Sequence, residues 1–337
     1  MNFQKNYSLT KFNTMRLRAT ATDFIELFNL KDLVAIGGYL KDTKCRYFVL
    51  GGGSNVLLPE IYNGLVIHNS LNGVDKIAED EDYVIVEAMA GEIWDEFVSY
   101  TLANDWFGLE NLSLIPGSVG AAPIQNIGAY GAEVGDFIEY VKIFDIVDQS
   151  FKQLKPQDCN FSYRNSVFKV KHNYIVIAVG FKLLKKANLN IKYADIAQYI
   201  KNTTEATALD LRNCIIKIRQ AKLPDPKFIG NVGSFFHNPI ITRQDVLFLK
   251  QRYEDLPVYD IDDKFVKISA GWLIDKLGLK GYQKNSISVY EKQALVFINN
   301  GESTQTEVLT FAKFIQDMVK STYNIDLTIE PIIVSKD

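Results

Sequence analysis

An uncharged segment from Asn111 to Ala132 constrains the fold of this 337-residue chain more than any other feature. Four glycines, at positions 117, 120, 128 and 131, and two prolines, at 116 and 123, interrupt it. Glycine and proline at this density disfavour a regular helix, and with it a membrane span. We therefore predict a compact, loop-rich path that is buried in the protein.

Composition and charge limit the classes of partner. Hydrophobic residues make up 47% of the chain and charged residues 23%, which suits two or three domains with ordinary cores. The 40 acidic and 37 basic residues give a formal charge of -3, and no Lys/Arg block occurs, so nucleic acid is not expected. No apolar run approaches the roughly 18–20 residues of a membrane span. Residues 1–11 are polar, unlike a signal peptide, so we expect a cytoplasmic protein.

The cysteines and histidines are scattered along the chain. An odd number of cysteines argues against a disulfide framework and favours buried thiols in a reducing compartment. No two histidines have the spacing of a metal site, so no metal is expected. These residues are Cys45, Cys159, Cys214, His68, His172 and His237.

Strand and helix patterns are mixed without the strict alternation of a doubly wound sheet, so we predict the α+β class. A Pro-rich segment at 223–227 marks a domain boundary. A capping box, Thr304-x-x-Glu307, marks the start of the last long helix. Strands are expected at 46–50, 83–88, 174–184 and, interrupted by Pro331 at a sheet edge, 327–334. Helices are expected at 93–102, 209–222, 242–253, 270–277 and from 304 onward.

Two glycine segments could bind a ligand through their backbone. In Gly51-Gly52-Gly53-Ser54-Asn55, successive N–H groups after a strand can form a nest for phosphate oxygens, although a plain tight turn explains the glycines equally well. The run Ile115 to Gly120 offers a second such wall, which a buried structural crossing would also explain. Two walls together suggest a long ligand with a central diphosphate. Neither the Rossmann fingerprint nor the P-loop motif is present, so a dinucleotide would bind in another way.

Three polar residues have both an ordinary and a catalytic interpretation. Arg164, in a strand-like stretch, suits a surface salt bridge or a bidentate clamp on a carboxylate. Ser234 lies in a loop, where most serines bond local backbone. Glu330 is the only charge between Leu327 and Val334, and a solvated edge-strand carboxylate is the default explanation.

Taken together, five motifs resemble the UDP-N-acetylenolpyruvoylglucosamine reductases, flavoenzymes of peptidoglycan synthesis. They occur in the family's order and span nearly the whole chain. The first also occurs in a wider class of flavoproteins, whereas the second and fourth together are specific. The motifs are residues 51–57 (GGGSNVL), 115–131 (IPGSVGAAPIQNIGAYG), 162–164 (SYR), 230–239 (GNVGSFFHNP) and 270–275 (AGWLID).

The resemblance implies a fold that composition does not. It implies a two-part FAD-binding unit of the p-cresol methylhydroxylase type, followed by a smaller α+β substrate-binding domain. Subdomain 1 would span residues 1–72, with the C-terminal strand 324–337 returning to it. Subdomain 2 would span 73–222, and the substrate-binding domain 223–323.

The same resemblance implies an activity and its participants. FAD, bound without a covalent link, and NADPH as co-substrate would reduce the enolpyruvyl ether of UDP-N-acetylglucosamine to UDP-N-acetylmuramate. Arg164, Ser234 and Glu330 would be catalytic, and a monomer is expected. The residues implied to hold FAD are Gly51, Gly52, Gly53, Ser54, Asn55, Pro116, Gly117, Ser118, Gly120 and Gly128.

Substrate contacts are also implied. The stretch Lys192-Tyr193-Ala194-Asp195 resembles the substrate-capping Tyr loop of one subclass, with Ala where Gly is commoner. His237 occupies a position where Lys is frequent in the family. The residues implied to contact the UDP-sugar are Tyr163, Tyr193, Lys222, Asn238, Tyr259, Lys280 and Gln293.

Two other functions fit parts of the sequence. A flavin-dependent sugar or lactone oxidase of the same superfamily would share the first motif, but Arg164 and the Ser234 loop argue against it. A nucleotide-sugar binding protein without chemistry would not need Arg164, Ser234 and Glu330 together.

Overall fold

The computed structural model describes residues 3–200 and 205–336. Its strands are β1 Gln4–Ser8, β2 Thr20–Leu27, β3 Tyr47–Leu50, β4 Val56–Leu57, β5 Ile61–Asn69, β6 Val74–Glu79, β7 Tyr83–Met89, β8 Gly128–Ala129, β9 Ala132–Glu133, β10 Ile138–Asp145, β11 Ser150–Leu154, β12 Tyr174–Leu184, β13 Gly230–Ser234, β14 Ile240–Thr242, β15 Val258–Asp260, β16 Phe265–Ile268, β17 Gln283–Lys284, β18 Ile287–Val289, β19 Val296–Asn299 and β20 Ile332–Ile333. Its α-helices are α1 Leu30–Thr43, α2 Trp94–Ala103, α3 Pro156–Cys159, α4 Ala194–Ile200, α5 Ala208–Lys222, α6 Arg243–Arg252, α7 Ala270–Lys276 and α8 Gln305–Tyr323.

The predicted α+β class is confirmed. The chain divides into two compact units. Unit 1 comprises the described residues within 1–7, 21–53 and 63–220, and unit 2 comprises 8–20, 54–62 and the described residues from 221 onward.

Unit 1 is built on two sheets. One has the strand order β1-β2-β5-β3, with β3 and β5 parallel. The other is antiparallel, in the order β11-β10-β12-β7-β6. Its central strand β12 is buried along almost its whole length, because the apolar run from Ile175 to Phe181 faces protein on both sides. Trp94 and Phe97 of α2 pack against Phe181 of β12, and this contact fixes the helix on the sheet.

The uncharged segment follows the predicted loop-rich course through unit 1. A short 3-10 helix, Glu110–Leu112, leads into it, and it contains a second one, Val119–Ala121, and the two-residue strand β8. Most of its residues are buried or half-buried. Backbone hydrogen bonds tie it to the β7–α2 connection, through Gly120 N–H to Ala90 O at 2.9 Å and Val119 N–H to Glu92 O at 2.8 Å.

Unit 2 encloses a separate core around α8. Phe311 and Ile315 of this helix are buried against Phe297 of β19 and Phe235. The predicted capping box is confirmed: the Thr304 side chain accepts from Glu307 N–H at 3.3 Å, and Glu307 accepts from Thr304 N–H at 2.8 Å. The unit's larger sheet has the order β13-β19-β18-β17.

The segment predicted as a strand at 327–334 is interrupted at Pro331, as expected, but its regular part is shorter than predicted. Ile332–Ile333 forms a ladder, which is parallel to β4. Before Pro331 the chain bonds to the Ser234 loop, through Glu330 N–H to Phe235 O and His237 N–H to Thr328 O, both at 2.9 Å. Pro331 has no N–H to donate, so the segment changes partners at that residue.

No helix within residues 3–200 and 205–336 is long and apolar enough to cross a membrane.

Candidate active site

The two predicted glycine walls lie against each other in unit 1. A Cβ on Gly51 would lie 2.5 Å from Ser118 Oγ, and a Cβ on Gly52 would lie 2.9 Å from Gly117 Cα. A real Cβ does not approach backbone atoms this closely, so Gly52 is restricted to glycine, whereas a side chain at position 51 would first have to displace the Ser118 hydroxyl. Gly53 has a φ of 62°, which also favours glycine. The two segments therefore form one backbone-lined cradle, which spacing in the sequence could not show.

Ser118 gives this cradle an unused polar group. The residue is 6% exposed, and its Oγ is a buried atom without a hydrogen-bond partner among the described residues. Buried hydroxyls are normally bonded, and leaving one unpaired is costly. The combination of a bare backbone surface and a buried unpaired hydroxyl suits a ligand with polar oxygens, and FAD fits this requirement.

Arg164 is fixed at the far end of the uncharged segment. Its φ of 53° is unusual for a non-glycine residue. Its Nη2 donates to Gly128 O at 2.5 Å, and its Nη1 donates to Asn126 O at 3.5 Å. Lys169 Nζ donates to the Arg164 carbonyl at 2.7 Å. The guanidinium is thus held in a defined place in unit 1, half-buried and 5.3 Å from the Tyr163 ring centroid.

Tyr193 lies in unit 1 at the N-terminal end of α4. Its side chain is 41% exposed and meets the Tyr130 ring edge-on, with centroids 5.2 Å apart and an interplanar angle of 89°. The contact leaves much of the Tyr193 ring accessible. Among the residues implied to contact substrate, Tyr163 and Tyr193 are those in unit 1.

Ser234 ends β13 in unit 2 and is anchored by aromatic packing. Phe235 and Phe236 follow it and are 0% and 1% exposed. Phe297 stacks on Phe235 with centroids 4.3 Å apart and meets Phe236 edge-on. Gly233, with a φ of 71°, turns the chain just before the serine. Ser234 is therefore held at the end of β13 by the packing of the two residues that follow it.

Glu330 lies beside the Ser234 loop in unit 2. Its Oε2 is 4.0 Å from His237 Nε2, and the two side chains are 13% and 23% exposed. An isolated bridge, Phe236 to Ile329, holds the two segments in register. Backbone hydrogen bonds thus join the segment that carries Ser234 and His237 to the segment that carries Glu330.

The remaining implied substrate residues of unit 2 differ in how many of their polar atoms already have partners. Asn238 Oδ1 accepts from the N–H of Ala270, the first residue of α7, at 3.0 Å. Gln293 Oε1 accepts from Leu295 N–H at 3.4 Å. Lys280 Nζ pairs with Asp275 Oδ2 at 2.7 Å, and Tyr259 is 42% exposed on β15.

Of four further implied residues, three lie near the ends of unit segments and one lies within the uncharged segment. Ser54 and Asn55 begin the second segment of unit 2, and the Asn55 carbonyl accepts from Ile332 N–H at 2.9 Å. Lys222 is exposed and is the last residue of α5. Pro116 is exposed in the uncharged segment of unit 1.

Sequence reasoning missed a polar cluster next to the second wall. Arg219 Nε donates to Leu114 O at 3.2 Å, and Asp95 Oδ1 accepts from Leu114 N–H at 2.6 Å. Burial lowers the pKa of Arg219, while the Tyr130 hydroxyl and Asp95 raise it. The only signal in the sequence is two arginines, at 212 and 219, spaced to share one face of the predicted helix.

Within residues 3–200 and 205–336 no three His, Cys, Asp or Glu side chains are grouped as metal ligands would be.

The chain is similar to known family models and proteins over nearly its whole length. A family model described as FAD binding domain matches residues 24–150, and one described as UDP-N-acetylenolpyruvoylglucosamine reductase, C-terminal domain, matches residues 225–334. The chain is 44% identical over 331 residues to UDP-N-acetylenolpyruvoylglucosamine reductase of Neisseria gonorrhoeae, covering 96% of this chain and 95% of the relative. It is 43% identical over 336 residues to the protein of the same name in Flavobacterium johnsoniae, covering 98% and 99%.

A solved structure shares the fold. The crystal structure of UDP-N-acetylenolpyruvylglucosamine reductase from Thermus caldophilus superimposes with a TM-score of 0.69 at 22% identity. The match covers 99% of this chain and 100% of that one.

Proposed function

The chain belongs to the UDP-N-acetylenolpyruvoylglucosamine reductase family, and from this premise we propose which of its residues carry the reaction. The enzyme uses FAD, with NADPH as co-substrate, to reduce UDP-N-acetylglucosamine enolpyruvate to UDP-N-acetylmuramate. It is an oxidoreductase that acts on a C=C bond in peptidoglycan precursor synthesis.

The glycine cradle would hold FAD without a covalent link. Its supports are the close contact of Gly51 and Gly52 with the second wall and the unpaired Ser118 Oγ. Backbone N–H groups there can bond diphosphate oxygens without side chains in the way. When bound, FAD supplies the hydride that the enol ether accepts at its β-carbon. The residues proposed to hold it are Gly51, Gly52, Gly53, Ser54, Asn55, Pro116, Gly117, Ser118, Gly120 and Gly128.

Arg164 would stabilise the negative charge of the reaction. Hydride addition at the β-carbon pushes charge to the α-carbon and into the substrate carboxylate. A guanidinium keeps its proton at any physiological pH and can bond a carboxylate through two N–H groups. The hydrogen bond from Arg164 Nη2 to Gly128 O holds it in place before substrate arrives, as electrostatic stabilisation requires.

Ser234 would deliver the proton to the α-carbon. A free hydroxyl is a weak acid, so it must be placed accurately to act as a general acid. The buried Phe235 and Phe236 anchor the loop that carries it.

Glu330 would act beside Ser234, but not as a bare anion next to the substrate carboxylate. Two like charges ~4 Å apart repel by about 4 kcal/mol at an effective dielectric near 20. We therefore infer that Glu330 is protonated in the complex or paired with a cation. His237 is the residue whose imidazole, when protonated, could supply that cation.

Charged and aromatic side chains would bind the UDP-sugar. Lys222 and Lys280 supply positive charge for the diphosphate, and the exposed ring of Tyr193 suits the substrate-capping role of the Tyr-loop subclass. The proposed substrate residues are Tyr163, Tyr193, Lys222, Asn238, Tyr259, Lys280 and Gln293.

We further propose a cytoplasmic monomer divided as the resemblance implies. The thiols of Cys45, Cys159 and Cys214 are free, which suits a reducing compartment. The FAD-binding subdomains would span 1–72, with 324–337, and 73–222, and the substrate-binding domain 223–323.

The observation that carries this assignment of residues is the buried, unpaired Ser118 Oγ against Gly51. The purified protein should be yellow, release its colour on acid precipitation and bleach when NADPH is added. Steady-state kinetics should be ping-pong, since both substrates carry a diphosphate for one groove. Colour retained in the acid pellet would contradict non-covalent binding, and intersecting double-reciprocal lines would contradict a shared groove.

A further inference from the structure

Leu114 has a backbone conformation that its side chain disfavours. Its φ is 57°, in the left-handed region that non-glycine residues rarely occupy. It precedes Ile115 and Pro116, where the second wall of the cradle begins. Strained residues of this kind persist only where the surrounding structure fixes them.

The N–H side of Leu114 is fixed by an ion pair. Asp95, in the first turn of α2, accepts from Leu114 N–H at 2.6 Å. Arg212 of α5 donates to both oxygens of the same carboxylate, at 2.7 and 3.0 Å. Arg212 is 8% exposed, so this bidentate pair lies largely away from water and has a defined geometry.

The C=O side of Leu114 is fixed by a second arginine from the same helix. Arg219 Nε donates to Leu114 O at 3.2 Å, and its guanidinium also bonds the Tyr130 hydroxyl. Tyr130 lies near the opposite end of the uncharged segment. Arg212 and Arg219 are two helical turns apart, so they act from one face of α5.

We propose that Asp95, Arg212 and Arg219, the Leu114 clamp, are positioning residues that determine how tightly the chain holds FAD. This inference rests on the proposed assignment of the glycine cradle to FAD. The clamp holds both polar groups of one residue, and thereby the direction in which the chain enters the second wall.

The cradle depends on that direction. Gly117 lies three residues beyond Leu114, and its Cα would be 2.9 Å from a Cβ on Gly52. Gly117 O also accepts from Trp94 N–H at 3.1 Å. A change of φ at Leu114 would swing Gly117 and Ser118 away from the first wall and open the cradle.

The test measures FAD affinity, which does not require turnover. Holoenzyme is diluted in series and filtered, and free FAD is quantified. Arg219→Gln should raise the Kd for FAD at least about tenfold, since it removes a charge-assisted hydrogen bond. The visible circular dichroism of bound flavin should also change, because the cradle is displaced rather than unfolded.

A second substitution separates positioning from general stability. Leu114→Gly removes the steric cost of the left-handed conformation. The effect of Arg219→Gln should therefore be at least about threefold smaller in a Leu114→Gly background, a coupling that a double-mutant cycle measures. Lys217→Gln, on the exposed part of α5, is the matched control and should leave the FAD Kd unchanged.

The outcomes are distinct. An Arg219→Gln variant with wild-type FAD affinity overturns the clamp, and so does an equal loss with and without Leu114→Gly. If Arg219→Gln does not fold, Arg219→Lys and Leu114→Gly are compared with wild type in the same way. Wild-type protein that binds no FAD at all would refute the proposed function instead.

Discussion

Glu330 Oε2 lies 4.0 Å from His237 Nε2, and neither side chain is more than 23% exposed. The pair places an imidazole next to a proposed catalytic carboxylate. The protonation of that imidazole should therefore set the charge next to Glu330.

The first prediction follows from this pair. Imidazole is the side chain that can change its charge near physiological pH, whereas a lysine ammonium stays charged there. His237→Lys supplies a permanent cation and should flatten the pH dependence of flavin reoxidation between pH 6 and 8. His237→Gln should flatten it as well, at a lower rate. Stopped-flow reoxidation from pH 6 to 8 measures this, and an unchanged profile in both variants would argue against the pairing.

Arg164→Lys should separate charge from geometry. Lysine keeps the positive charge but cannot bond a carboxylate through a planar fork. We expect kcat/KM for the enolpyruvyl substrate to fall about 10–100-fold, the loss of one to two strong hydrogen bonds. Reduction by NADPH should change much less. Arg243→Lys, whose guanidinium pairs with exposed Asp260, is the control and should be silent.

Asp145 should stabilise the fold only above acidic pH. Burial alone would raise its pKa, but hydrogen bonds from Lys152, Asn173 and two backbone N–H groups outweigh burial and hold the pKa at about 2, against 3.8. Because the folded-state pKa is the lower one, this stability is complete above pH ~4 and is lost as pH falls toward ~2.

The difference corresponds to about 2 kcal/mol in the free energy of unfolding. Asp145→Asn should lose that amount at pH 7, measured by urea unfolding, and the deficit should shrink at pH 3. Asp148→Asn, at a carboxylate whose side chain is 53% exposed, should lose much less. Equal losses from both variants would contradict this explanation.

Local rules predicted most of the regular elements. The Thr304 capping box and the apolar face of α8 require only neighbouring residues, so the sequence is sufficient to place them. The regular strand at 327–334 is shorter than predicted because Pro331 separates two sets of partners, near Phe235 and near Asn55, that are far apart in the chain.

Motifs indicated the candidate site residues, but they could not show which of these residues lie next to each other. No local pattern shows that Gly52 touches Gly117, or that Ser118 Oγ lies buried beside Gly51. The clamp was missed for the same reason: Asp95 and Arg212 are 117 residues apart. Taken singly, Asp95 and Arg212 look like ordinary charged residues on a helix surface.

The roles assigned to Ser234 and its neighbours are tested most directly by separating the two half-reactions in Ser234→Ala. Reduction by NADPH needs no proton donor at position 234, whereas reduction of the enolpyruvyl substrate needs one at its α-carbon. General acid catalysis contributes about 10²–10⁴-fold, so stopped-flow reoxidation should slow at least about 10²-fold, with reduction and FAD content unchanged. Ser234→Cys should retain part of the reoxidation rate. Equal slowing of both half-reactions in Ser234→Ala would contradict the account and leave Ser234 a residue that only shapes the loop.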